Sequence, residues 1–577
     1  MNNIPTPAIS WRTFLRSTAA VAGTLALVAF SQAADPEVPD AERLKVEAAL
    51  PSQAFAKPLK ARKLLIFDLN VNYGGHASIR TANLAFTLMG KKTGAFETVV
   101  SHDPEVFRPE SLRQFDAVFF NNTVGNCFTN AELRQSLVEF VYGGGGLMGV
   151  HGTTVGFTQW PGATEDWREF GLMIGARGAN HRTNNEHVFI KLDDAAHPLN
   201  APFAGQGFDY RSEFFRVHDP YSRNRLRVLF SIDTEKTDLT EGVPGRKLER
   251  ADGDFALAWV RNYGRGRTFY CTIAHQPSVF WDAKMLEFYL AAAQFILGDL
   301  PAPTTPSGRL TPALAAQEKL GWRLGLDYMC NLDSLFALID RAVPLGMLYL
   351  GACDVQRISG DLRKSFGLLL SEDELREVRF KLDSAGTRLL TYRLQQCPTN
   401  EANWRATFAF ARKMGMEAII ADPPPEALPM LEKLCDEFQV CLALHDNAWA
   451  GPLRYGPAEV MKLCQGRSPR LGAAGDLRQW SRVGLPPLEA IRTLQKRLIV
   501  FLAHDLDGLS PDARDVPWGA GVARVHDCLQ EIHRLKLRPV MFDLSYPPSD
   551  KTYTNDLARC VEFFNKASLD LAKGAKP

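Results

Sequence analysis

The chain carries almost no net charge, with 66 Lys and Arg set against 65 Asp and Glu over 577 residues. It has no basic stripe with interleaved aromatics, which argues against nucleic acid as a partner. Cysteine is scarce, and none of the ten stands at C-x-x-C spacing, so no disulfide connectivity can be read. Cys271 and Cys441 sit inside apolar runs and read as buried free thiols. Beyond the N-terminus no segment has the length and apolarity of a membrane span, which excludes stable membrane insertion of the folded part.

What is present fits a large soluble protein. A content of 46% hydrophobic and 23% charged residues is that of a globular chain, and this length exceeds one ordinary core, so two or more domains are expected. Arg12 and Arg16 precede an apolar run from Ala19 to Phe30, followed by Ser31-Gln32-Ala33. A basic start, a short apolar stretch and a small-x-small site predict a signal peptide over 1–33, cut after Ala33, and a periplasmic or secreted mature protein. No Cys follows the apolar stretch, so no lipid anchor is indicated.

From residue 62 to 300, short apolar runs at 63–68, 97–103, 115–122, 145–152, 186–192, 255–264 and 267–276 alternate with amphipathic stretches at 79–91, 130–142 and 283–297. Strand and helix in alternation predict a doubly wound, flavodoxin-like α/β sheet of parallel strands covered on both faces. Residues 301–312 hold four prolines and read as a linker. Beyond it, eight strand candidates begin at 323, 347, 388, 417, 440, 470, 497 and 538, each followed by a helical pattern. Eight βα units over 318–570 predict a (β/α)8 TIM barrel.

Eight of the twelve histidines precede the linker. His76 follows the first strand, His151 ends the strand leaving the glycine run 143–146, and His275 ends the strand at 267–276. Ligands of such sheets bind beyond the carboxyl ends of the strands, so the three should share one rim. Imidazoles with a carboxylate suit zinc or manganese, and they equally suit general acid and base work without metal. His102, His187, His197 and His218 read as structural.

The ordered motifs GGGGLMGVHG, NHR (180–182), SEFF (212–215), LAWVRNYGRGRTFY (257–270) and IAHQ (273–276) resemble the ThuA-like, trehalose-utilisation family, whose fold is that of class I glutamine amidotransferases. The resemblance implies His151, Glu213 and His275 as catalytic groups, with His76, His181 and Trp259 around the substrate. The amidotransferase nucleophile, a Cys, has no counterpart beside His151, which disfavours acyl transfer.

The barrel segment is similar to the xylose-isomerase-like sugar isomerase/epimerase superfamily, through IIADPPPEAL, RLGAAGDLRQW, GLPPLEAIRTL and DVPWGAGV. The resemblance implies metal ligands at the ends of strands four, six, seven and eight, here Asp422, Asp476, His504 and Asp543. Asp422 and Asp543 stand for glutamates and are one methylene short, while His504 lies two residues beyond the expected place. His445 and Trp518 line the same rim as substrate contacts, and Trp449 and Trp480 are further aromatic faces for a sugar. Together these features imply an exported carbohydrate-processing protein acting on a sugar or keto-sugar, a metal-dependent lyase, hydrolase or isomerase. The alternatives are a non-catalytic carbohydrate-binding protein and an active isomerase barrel.

Overall fold

The computed structural model describes residues 38–158, 163, 165–239, 250, 252–327, 334–446, 453–510, 512–545 and 553–574. The signal peptide expected over 1–33, and Trp449, lie outside them. Among the described residues no helix is long and apolar enough to cross a membrane, and the nine described cysteines are all free.

The first half is built on a nine-stranded sheet. Its spatial order is Glu97–Ser101, Lys63–Phe67, Ala117–Asn121, Gly146–Val150, Gly266–Cys271, Ala256–Tyr263, Arg227–Ile232, Glu186–Leu192 and Phe208–Ser212. The first five run parallel, and each later neighbour is antiparallel. The parallel part is the α/β sheet that the sequence predicts. The antiparallel wing adds Arg227–Ile232 and Phe208–Ser212, strands not assigned from sequence. The helix Ala283–Leu297 is capped by the Asp282 side chain and ended by Gly298 at φ +86°. It lies so close to the sheet that a Cβ on Gly146 would sit 2.3 Å from the Ile296 carbonyl oxygen.

The second half closes into a parallel barrel of eight strands: Leu324–Leu326, Tyr349–Cys353, Arg388–Arg393, Ala418–Ala421, Cys441–Leu444, Leu471–Asp476, Leu498–Ala503 and Met541–Leu544. Each falls within its candidate segment. Strand periodicity sends alternate side chains to two cores: Ala418, Ile420 and Ala443 join one apolar cluster, Ile419, Ala421 and Leu442 another. The proline-rich stretch is stitched down on both sides, with Val228 N–H donating to Ser307 Oγ (2.9 Å) and Thr305 N–H to Glu318 Oε1 (3.0 Å).

The halves meet at the turn before Gly266–Cys271 and along the barrel helix Glu372–Ala385. Arg265, in the turn before Gly266–Cys271, donates to the Gln439 carbonyl at 2.7 Å, just ahead of the fifth barrel strand. Gly264, at φ +57°, closes that turn against Tyr142, which a Cβ would meet at 2.5 Å. Buried charge crosses the contact. Arg261 pairs with Asp383, Arg225 reaches the other Asp383 oxygen at 3.6 Å, and Arg379 Nε donates to Glu169 at 3.2 Å. Burial raises the pKa of Glu169 although Arg379 opposes it. Removing one member of such a pair strands the other charge away from water. Asp383→Ala should therefore destabilise the chain by about 3–5 kcal/mol, read as a lowered denaturation midpoint of the intact protein, whereas loss of the exposed Lys573–Asp570 pair through Lys573→Ala should change almost nothing.

Candidate functional site

At the C-terminal ends of the first-domain strands, four side chains converge. His76, His151, Glu213 and His275 each offer a ligand atom, and these atoms all lie within 4.8 Å of one another. No other group of three or more His, Cys, Asp or Glu is that close among the described residues. The chain is bent to achieve it. His151 leaves its strand at φ +43°, a left-handed conformation that a non-glycine residue adopts at a cost of roughly 1–3 kcal/mol. The turn is held by Thr153 Oγ1 donating to the Phe120 carbonyl (2.8 Å) and by Gly152 N–H donating to Asn122 Oδ1 (3.0 Å). Tyr270 OH donates to the His151 carbonyl at 2.8 Å.

The His151 ring is fully buried, and its Nδ1 lies 2.8 Å from the Thr272 carbonyl oxygen. A carbonyl only accepts, so Nδ1 carries the proton and Nε2 of the neutral ring presents its lone pair. That Nε2 faces Glu213 Oε1 at 3.3 Å and His275 Nδ1 at 3.3 Å. A lone pair facing a carboxylate oxygen is repulsive unless a proton or a cation lies between them. His76 Nδ1 is buried and has no hydrogen-bond partner, while its Nε2 meets the Tyr73 hydroxyl at 3.3 Å. The three rings pack edge to face with centroids 4.8–5.2 Å apart. These residues fit a divalent cation, with imidazole nitrogens and one carboxylate as donors.

The electrostatics agree with that donor set. Burial, then the neighbouring His151 and His275, pushes His76 down to about 3, leaving it an uncharged donor. Burial likewise lowers His275, followed by His151. Burial alone would raise Glu213, but the adjacent His151 ring, followed by His181 and His275, holds it below the usual carboxylate range. His181 Nδ1 stands 3.3 Å from Glu213 Oε2, on the opposite side from His151.

Sequence reasoning placed His76 with the substrate; the structure brings it into the ligand group. It missed the supports. Asn122, itself at φ +55°, and Ser78 both donate to the Ala274 carbonyl, at 3.0 and 2.7 Å, which sets the loop carrying His275. The Asn121-Asn122 doublet ending an apolar strand was the available signal. Trp259 is corrected: it is wholly buried, donates to the Ile174 carbonyl at 2.8 Å and stacks on Tyr270, so it is core and not a substrate contact. Trp518 and Trp480 are also buried among barrel helices.

The barrel rim is different. Asp422, Asp476, His504 and Asp543 do not form such a group, although His504 Nε2 lies 4.0 Å from Asp476 Oδ1. Asp422 pairs with Arg454 at 2.9 Å, His445 Nε2 meets Asp476 at 3.1 Å, His504 Nδ1 meets Asp515 at 2.8 Å, and Ser545 donates to Asp543. Burial and the adjacent Asp327 raise the Asp543 pKa well above the usual range.

His197 is structural, as its sequence context implies: Nδ1 accepts from Leu199 N–H at 3.2 Å and Nε2 meets the Pro303 carbonyl at 3.1 Å. Burial lowers its pKa to about 4. The unfolded imidazole takes its proton near 6.5, so unfolding binds a proton between those values. Stability is full above that window and falls as pH drops through it. His197→Asn should flatten the pH dependence of the denaturation midpoint between about pH 6.5 and 4 by roughly one proton's worth.

Residues 63–296 match the ThuA family model, described as trehalose utilisation. No curated protein matches the chain in sequence. Among solved structures, an uncharacterised protein from Parabacteroides distasonis is 24% identical, covering 43% of this chain and 99% of its own, with a TM-score of 0.36. A ThuA-like protein from Bacteroides uniformis is 19% identical, with 42% and 94% covered and a TM-score of 0.35. On the barrel side, a xylose isomerase-like TIM barrel protein from Mycobacterium smegmatis in complex with magnesium is 12% identical, with 44% and 98% covered and a TM-score of 0.34. The His cluster thus falls in the part of the chain that matches the ThuA, trehalose-utilisation model, and an eight-stranded parallel barrel follows it in the same chain.

Proposed function

We propose that the ThuA domain carries a metal-dependent site that removes a proton beside a carbonyl of an oxidised sugar and expels a neighbouring substituent. The observation behind this reading is the convergence of His76, His151, Glu213 and His275, with the His151 lone pair fixed toward the centre. His76, His151 and His275 would hold zinc or manganese, which when bound polarises a carbonyl and offsets the charge developing on its oxygen.

In a 3-keto sugar the C2 proton is acidified by the carbonyl, and C1 bears the glycosidic oxygen. Glu213, held as a carboxylate by its neighbours, takes the C2 proton. The C2–H electron pair forms a C1–C2 double bond, the C1–O bond breaks, and a proton returns to the departing oxygen. His181, 3.3 Å from the far oxygen of Glu213, is placed to relay that proton. Addition of water across the new double bond would complete a net hydrolysis without the paired carboxylates of glycosidases. The leader read in 1–33 places this chemistry outside the cytoplasm in our proposal.

Two measurements test it. Elemental analysis of purified protein should find about one zinc or manganese per chain, lost in His151→Ala with His275→Ala. In deuterated water with a 3-keto-disaccharide, the C2 proton should exchange, and Glu213→Gln should slow this by about 10²-fold or more. Binding without exchange above the buffer rate, metal supplied, would leave a carbohydrate-binding protein. N-terminal sequencing of the mature protein should begin at Ala34; an intact Met1 would place it in the cytoplasm instead.

A further inference from the structure

The acidic mouth of the barrel is neutralised from within. Arg393 ends the third strand, and its guanidinium stands 3.2 Å from Asp327 Oδ2 and 3.8 Å from Asp543 Oδ2. Its NH1 lies 3.4 Å from His445 Nδ1. Arginine only donates, so His445 Nδ1 accepts, and its Nε2–H donates to Asp476 Oδ2 at 3.1 Å. One guanidinium therefore bonds the carboxylate ending strand one, lies 3.8 Å from the acid ending strand eight, and reaches the carboxylate ending strand six through an imidazole. The other Asp476 oxygen is taken by the N–H groups of Arg478 and Gln479, at 2.8 and 3.2 Å, which it caps. A second guanidinium, Arg478, bridges Asp515 (2.8 Å) and His504 (3.0 Å). Asp422 turns outward to Arg454.

A divalent ion needs several oxygens at about 2.0–2.6 Å around one point. Here Asp327 and Asp543 hydrogen-bond to each other and a planar cation of fixed charge lies against both, so a divalent ion would meet a like charge, and like charges that close repel strongly in a buried site. We infer that Arg393 is a resident cation standing in for the divalent ion of a sugar-isomerase barrel, so that the barrel mouth is metal-independent. Isomerisation through a metal-chelated carbonyl and hydroxyl is then closed to this barrel, whatever the ThuA domain does.

The test uses the full chain carrying His151→Ala and His275→Ala, which silences the first-domain ligands, with Mn2+ as probe. In this parent, Mn2+ should neither bind, by electron paramagnetic resonance, nor raise the melting temperature. Adding Arg393→Ala should leave an acid-lined hole and tighten Mn2+ binding by about tenfold or more, and Asp543→Asn should abolish the gain. Mn2+ binding by the parent that is lost on Asp476→Asn or Asp543→Asn would overturn the inference. A folded Arg393→Ala chain that gains nothing would equally overturn it. Should that variant fail to fold, the parent titration still decides, and Arg393→Lys, which keeps the charge, should remain indifferent to Mn2+.

Discussion

One hydrogen bond, from His151 Nδ1 to the Thr272 carbonyl, organises the first-domain site. It joins the ends of two neighbouring parallel strands, Gly146–Val150 and Gly266–Cys271, so the ring is tied to the sheet and not to a loop. It also decides which nitrogen is free. With Nδ1 committed, Nε2 has no choice but to face Glu213 and His275. The left-handed backbone at His151 and the Asn122–Ser78 clamp on Ala274 exist in service of that geometry. Strain here is compensated by rigid neighbours, as is usual where a backbone outlier sits at a site.

The two halves handle buried charge in opposite ways. In the ThuA domain, three imidazoles and a carboxylate turn toward a common point and leave His76 Nδ1 without a protein partner. In the barrel, acids are matched to arginines already in the chain. The same matching holds beneath the barrel, where Glu417 accepts from Arg323 at 2.8 and 2.9 Å and from Arg388 at 3.1 Å, and its pKa lies below the ordinary range although burial opposes this. Arginine suits that task because its planar fork stays charged and bonds in pairs.

Much of this fold is legible in the sequence. All eight barrel strands are short apolar runs between turn residues, because a parallel barrel buries both faces of every strand and leaves an unbroken apolar signal. Phe208–Ser212 gives no such signal: it is an edge strand whose residues alternate between part-buried and exposed, with Asp209 and Arg211 facing out. The site was partly legible. Histidines at strand ends were visible, and the topology makes them neighbours. That His76 joins the ligand group depends on a loop whose path no periodicity encodes. Trp259 could not be sorted from sequence, since an indole buried between sheet and helix looks the same as one facing a sugar until its N–H partner, the Ile174 carbonyl, is known.

The junction has a consequence for how freely the two rims can change. Its contacts through Arg265, Arg261 and Arg379 involve none of His76, His151, Glu213 or His275, and neither Arg393 nor Asp543. Substitution at either rim therefore leaves the buried ion pairs of the junction in place, because sites that share no partner act independently. Each half can alter its chemistry while the other keeps its support.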